Sequence, residues 1–299
     1  MKNVPLDRKP KIALLTGDPS GIGPEITAKL LALRETRTAA DVILIGALDP
    51  PESIPRGRVS REAGAYTLGQ LREGVAMLQA GTADAMVFAP LNKQAMKLAG
   101  MPFSDELHLF ASLLGFGGPV SEINVMGNLW TSRVTSHVAL REVASLITRE
   151  RIHDAVHLLH HALRASGAAV PRLAVAALNP HAGEGGTLGT EEIDTIGPAL
   201  EELRGAGMEI AGPLPSDTLF LAAVRGDFDG VITMYHDQGQ IALKLMGFNR
   251  GVTVAGGLPV VITTPAHGTA FDIVGKDKAD VGPLREAFRI ACRMAAARL

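Results

Sequence analysis

The 299-residue chain has one cysteine, Cys292, so no internal disulfide can staple it and a disulfide scaffold is excluded. That economy fits a reducing cytoplasm, and Cys292 reads as a small buried apolar residue. Aromatic residues make up only 4%, which leaves a mostly aliphatic core. A basic surplus is also missing: 29 Lys+Arg stand against 31 Asp+Glu, a formal charge of -2. This balance argues against nucleic acid or anionic membrane as the main partner. No apolar run approaches the ~18 residues of a membrane span, and the run from Ile12 to Leu15 is too short for a signal-peptide core. A soluble, untargeted cytoplasmic protein is expected. No repeat, low-complexity tract or obvious linker divides the chain.

What is present is 46% hydrophobic residues with 33 glycines and 18 prolines, enough for a large core and many tight turns in which function should sit. Short apolar runs at 11–16, 41–46 and 85–89 predict strands, and the apolar rhythm of 63–79 predicts a helix. Further strands are expected near 123–126, 133–136 and 173–177, and helices near 149–165 and 190–206. This alternation predicts an α/β fold with a largely parallel sheet covered by helices. Gly17 to Glu25 turns from a strand into a helix with Pro24 at its start. The turn lacks the Lys-Ser/Thr pair of a P-loop, and its glycines miss the G-x-G-x-x-G dinucleotide fingerprint. It is either a tight structural turn or a phosphate cradle.

Nine histidines raise the question of a metal. His153, His157 and His161 share one helix face at i, i+4 and i+8, but Ile152, Val156, Leu159 and Leu163 form that helix's apolar stripe. The three therefore read as a solvated or partly buried polar face. His137, His181 and His236 differ, since each follows an apolar strand, and ligand sites in parallel α/β folds gather at the carboxyl ends of strands. They are either three ligands of a borderline metal such as zinc or separate loop-anchoring residues.

Seven blocks occur in order: GDPSGIGPE from Gly17, APLNK at Ala89 to Lys93, TSHVALREV at Thr135 to Val143, NPHAGEGG at Asn179 to Gly186, GPLPSDTLF at Gly212 to Phe220, MYHDQGQIALK at Met234 to Lys244, and HGTAFDIVGK at His267 to Lys276. Together they resemble the 4-hydroxythreonine-4-phosphate dehydrogenase family of pyridoxal phosphate synthesis. The first and last are also similar to the wider isocitrate and isopropylmalate dehydrogenase group, which binds NAD(P) without a Rossmann fingerprint.

The resemblance implies a homodimer of two-lobed subunits, with lobes at 1–104 plus 252–299 and at 105–251 and the site in the cleft. It implies one divalent metal, Zn with Mg, Mn or Co as alternatives, held by His137, His181 and His236, the last supplied by the neighbouring subunit. NAD or NADP would lie along Gly17, Gly21 and Gly23 and along His267, Gly268, Asp272 and Lys276. The implied reaction oxidises a secondary alcohol of a small carboxylate substrate and expels a carboxylate β to the new ketone. Asp217 and Asp237 are assigned to orienting the metal ligands or handling protons, with turn and cap formation as the alternative. Lys244 matches a substrate-binding lysine, and Lys93 is either a further polar site residue or a surface lysine.

Departures from the family pattern concern the substrate. Glu106 and Leu107 stand where the family has a His-Thr pair, unless the alignment slips and His108 substitutes. Thr253 replaces an asparagine and Ile262 an arginine, and Ile262 cannot grip a phosphate. Glu106 would repel one, while Leu107 and Ile262 would suit a ring face. The terephthalate cis-dihydrodiol dehydrogenase branch resembles this pattern. A non-phosphorylated hydroxy or cis-dihydrodiol carboxylate is therefore the expected substrate. The alternatives are 4-hydroxythreonine 4-phosphate or a threonate or erythronate 4-phosphate, and an inactive ligand-binding relative.

Overall fold

A computed structural model describes residues 8–247 and 251–299. The chain divides into two compact units, one formed by the described parts of Met1–Val120 and Asn249–Leu299, the other by Ser121–Phe248. The first unit runs past the expected break at 104/105. The reason is the helix α5 (Glu106–Leu113), whose Leu107, Leu109 and Phe110 are buried in the same cluster as Leu15, Leu71 and Met86.

In the first unit, β1 (Lys11–Leu15), β2 (Asp41–Ile45), β3 (Ala85–Phe88), β9 (Val252–Gly256) and β10 (Val261–Pro265) are ordered β2-β1-β3-β10-β9. All neighbours are parallel except β10 and β9. The helices α1 (Gly23–Ala32), α2 (Arg34–Ala39), α3 (Arg61–Gln79), α4 (Lys93–Leu98), α5 and α11 (Gly282–Ala296) complete the unit. Nine buried residues of α3, among them Leu68, Leu71 and Val75, recur at helical spacing, and Ser60 accepts the Ala63 N–H to start the helix. Cys292 is buried in α11, and burial pushes its thiol up to about 12, so it is inert at neutral pH.

In the second unit, β4 (Ser121–Met126), β5 (Leu129–Arg133), β6 (Leu173–Ala176), β7 (Ile210–Leu214) and β8 (Gly230–Thr233) are ordered β4-β5-β8-β6-β7. Apart from the antiparallel β4/β5 hairpin, the neighbours are parallel. The hairpin moves β5 ahead of the expected 133–136, because Gly127 at φ +58 and Asn128 form a two-residue turn pairing Met126 with Leu129. Helices α6 (Leu140–Leu146), α7 (Arg149–Ala165), α8 (Gly197–Gly205), α9 (Ser216–Val224) and α10 (His236–Gly247) complete this unit. The single helix expected over 190–206 is instead a π turn at Glu192–Ile196 followed by α8, which Pro198 opens.

The polar face expected on α7 is present. Ile152, Val156, Leu159 and Leu163 are buried, His153 and His157 are half-buried, and His161 is exposed. His153 Nε2 lies 3.2 Å from Glu202. No helix among the described residues is long and apolar enough to cross a membrane.

Candidate active site

Strand order does what sequence spacing could not. In the second unit β5, β8 and β6 are consecutive and parallel, so their carboxyl ends share one edge. His137 follows β5, His236 opens α10 after β8, and His181 follows β6. The loop carrying His137 is tied to the end of β8, for Val134 N–H donates to Thr233 at 2.8 Å and Thr135 donates to the Met234 carbonyl through both its N–H and its hydroxyl. Gln238 joins the neighbouring strand ends. Its amide donates to the Ala177 carbonyl and its Oε1 accepts the Met234 N–H, both at 2.7 Å.

The His137 and His236 rings lie 5.5 Å apart. Asp237 Oδ1 is 2.6 Å from His236 Nδ1, which fixes the ring and leaves Nε2 to face a ligand, the usual carboxylate–imidazole arrangement at metal sites. This contact is the geometry that the orienting role expected of Asp237 requires. Asp217, in the first turn of α9, is exposed, and among the described residues it forms no hydrogen bond or ion pair with the histidines. Among the described residues of one chain, no three or more His, Cys, Asp or Glu side chains close on a single point.

His181 stands in an unusual backbone. Residues 181–186 all have positive φ, with 52° at His181, 55° at Ala182 and 43° at Glu184. A left-handed turn costs a non-glycine residue roughly 1–2 kcal/mol, so three such residues need external support. The carboxylate of buried Glu192, at the start of the π turn, accepts the Leu178 and Asn179 N–H groups, each at 2.8 Å, and the Asn179 side-chain amide at 3.0 Å. Sequence reasoning passed over Glu192. The available signal was a glutamate pair shortly after a glycine-rich block.

In the first unit the carboxyl ends of parallel β1, β3 and β10 likewise share an edge. Gly17 has φ +73, and a Cβ there would meet the Ala89 carbonyl oxygen at 2.5 Å. Gly21 packs on Thr269, where a Cβ would lie 2.8 Å from the Thr269 Cβ, and Gly23 packs against the Thr16 carbonyl. The Ile22 N–H donates to the Thr269 carbonyl. The glycine turn and the loop from His267 to Lys276, expected to hold one cofactor, are therefore in contact. Asp18, 1% exposed, accepts the Ser20 N–H through Oδ1, and burial raises its pKa. Its Oδ2 and the Ser20 hydroxyl have no partner among the described residues. Gly268 faces open space, Asp272 and Lys276 are exposed, and Lys276 donates to the Asp272 carbonyl at 2.7 Å.

The substrate residues assigned from the sequence separate into two groups. Leu107 at 6% exposure and Ile262 at 0% belong to the core cluster of the first unit, so neither offers a ring face to a ligand. Glu106 is not an uncompensated charge, because Lys93 Nζ stands 3.3 Å from its Oε2. A cavity of about 480 Å³ opens beside this pair, lined by Lys93, Gln94, Lys97, Leu98 and Ser104. His108 is engaged locally, its Nδ1 2.6 Å from Asp105, which also caps α5. Thr253 is half-buried in β9 opposite Thr264, and Lys244 is exposed in the last turn of α10.

The two units are thus of the α/β class with largely parallel sheets, and the candidate histidines of one and the glycine turn of the other lie at the carboxyl ends of strands, where ligand sites of such folds gather. The chain belongs to the PdxA family, described as pyridoxal phosphate biosynthetic protein PdxA, whose profile matches residues 18–291. A Pseudomonas aeruginosa protein named provisionally as a 4-hydroxythreonine-4-phosphate dehydrogenase 2 is 49% identical over 95% of this chain and 97% of its own length. The crystal structure of a Burkholderia phymatum 4-hydroxythreonine-4-phosphate dehydrogenase aligns with a TM-score of 0.80 at 32% identity, covering 96% of this chain and 99% of the other. A terephthalate 1,2-cis-dihydrodiol dehydrogenase from Burkholderia xenovorans aligns with a TM-score of 0.71 at 28% identity, covering 95% and 98%.

Proposed function

We propose that the chain is a dehydrogenase that oxidises a secondary alcohol of a hydroxy acid, passing hydride to NAD(P), after which the carboxylate β to the new ketone leaves as CO₂. The observation that carries this reading is the placement of His137, His181 and His236 at the carboxyl ends of three adjacent parallel strands. Three imidazoles fit a borderline divalent ion with room for substrate oxygens. When bound, such an ion acts as a Lewis acid on those oxygens and the nicotinamide takes the hydride. The chain's own residues position the reactants. Asp237 holds the His236 ring by Nδ1, and Lys244, in the last turn of α10, is of the charge that suits a substrate carboxylate. The glycine turn and the loop after β10 offer a close backbone approach for the cofactor, and Asp18 Oδ2 and the Ser20 hydroxyl in that turn have no partner among the described residues.

For the substrate, we favour a carboxylated hydroxy compound lacking phosphate, with a cyclic cis-dihydrodiol carboxylate as first candidate. Support comes from Thr253 and Ile262 at the positions of the family's asparagine and arginine, and from the name of the Burkholderia xenovorans relative. Burial of Leu107 and Ile262 removes the ring-face argument, leaving the missing phosphate donors. A charged hydrogen bond contributes about 1.5–3 kcal/mol, more than tenfold in affinity. A second reading, a phosphorylated hydroxy acid, is favoured by the name of the Pseudomonas relative. Steady-state kinetics followed by NADH absorbance on both substrate types tests the choice. A specificity constant for 4-phosphohydroxy-threonine about a hundredfold above every non-phosphorylated compound establishes the second reading, since that ratio is close to 3 kcal/mol. Turnover of neither type, with intact metal and cofactor binding, identifies an inactive ligand-binding relative.

The cofactor assignment has its own test. A side chain at Gly268 meets no protein atom within 4 Å, so Gly268→Val is expected to fold normally and to raise the apparent NAD(P) Michaelis constant by about tenfold or more. Loss of metal with unchanged cofactor affinity contradicts the assignment.

A further inference from the structure

We infer that Glu192 is the positioning residue that sets His181 for metal binding, acting through the backbone and not by ligation. This rests on the reading of His181 as a metal ligand. Residues 181–186 run left-handed although three of them, His181, Ala182 and Glu184, carry side chains. Such a turn presents His181 only if the chain is held at its entrance and along its inner face, and Glu192 does both. Its Oε1 fixes the Leu178 and Asn179 N–H groups at the exit of β6. Its Oε2 accepts from the Asn179 side-chain amide and lies so close to Gly183 that a Cβ there would stand 2.8 Å away. The Asn179 amide is also pinned by Glu191 at 2.6 Å, so it cannot flip to suit a changed partner. The carboxylate is itself buried, at 5% exposure, and its acceptors are committed to this one turn. Glutamine is the informative replacement. It keeps one acceptor, but its amide would oppose the Asn179 donors, so shape is retained while the hold on the turn is broken.

The test measures Zn²⁺ affinity of the full chain by competition with a chromophoric chelator, beside the unfolding midpoint of the metal-free protein. Glu192→Gln is expected to weaken Zn²⁺ binding by about 10–100-fold, the range for residues that orient a ligand, with the metal-free midpoint near wild type. Glu192→Asp keeps the charge but withdraws the carboxylate from the Leu178 and Asn179 N–H groups by one methylene and is expected to show the same loss, which keeps the inference testable if Glu192→Gln fails to fold. Zn²⁺ affinity within twofold of wild type in a folded variant overturns it. So does an affinity loss that only parallels a collapsed midpoint. His181→Ala measured alongside separates the two claims. If it retains Zn²⁺, the reading of His181 as a ligand fails. If it loses Zn²⁺ while Glu192→Gln does not, only the role of Glu192 fails.

Discussion

His181→Ala protein is expected to purify folded, without bound divalent metal, and with turnover reduced by orders of magnitude. The fold should survive because His181 is exposed and lies beyond the last residue of β6, so the substitution leaves the core packing of Leu173 to Ala176 intact. Ala182 already occupies the left-handed region in the same turn, so alanine at 181 can follow this backbone at a small local cost. The loss should be large because a three-ligand site reduced to two ligands no longer holds a borderline metal tightly. Metal analysis, circular dichroism and an NADH absorbance assay on one preparation check all three statements. Full activity in a metal-free His181→Ala protein would sink the metal reading.

The second large effect is a gain. His137→Ala and His236→Ala subunits, each inactive alone, are expected to regain activity when mixed under conditions that allow subunit exchange. The family resemblance assigns His236 to the neighbouring subunit's site. In a mixed dimer one site then has His137, His181 and an intact partner histidine, while the other lacks two of its three ligands. Random exchange of equal amounts gives mixed dimers in half the population with one working site of two, or about a quarter of wild-type activity. The competing arrangement is a site built within one chain, which the 5.5 Å separation of the His137 and His236 rings would allow. In that case every subunit lacks one ligand and mixing restores nothing. Mass spectrometry of the mixture shows whether exchange took place, so absence of recovery is decisive.

The sequence by itself determined the local elements and the family, and it singled out the candidate site residues. Apolar runs and helical rhythm located β1, β2, β3, β6, α3 and α7 to within a few residues, since that periodicity reports which face of an element is buried. The seven ordered blocks pointed to the family that the profile over residues 18–291 identifies. Tertiary structure alone decided which of those residues meet. Nothing in the spacing of His137, His181 and His236 says that β5, β8 and β6 are neighbours, because sheet order here departs from chain order. Leu107 and Ile262 looked like ligand-facing substitutions, yet both point into the core, a distinction that depends on which side of α5 and β10 the rest of the unit covers. Glu106 looked like a repulsive charge until Lys93, thirteen positions earlier in the chain, proved to be its partner. Glu192 carried no motif of its own, because its role is to accept hydrogen bonds from a backbone whose left-handed path exists only once the chain is folded. Periodicity is a property of neighbours along the chain, whereas a site is built from contacts across it, and those follow from strand order, register and the packing that closes around them.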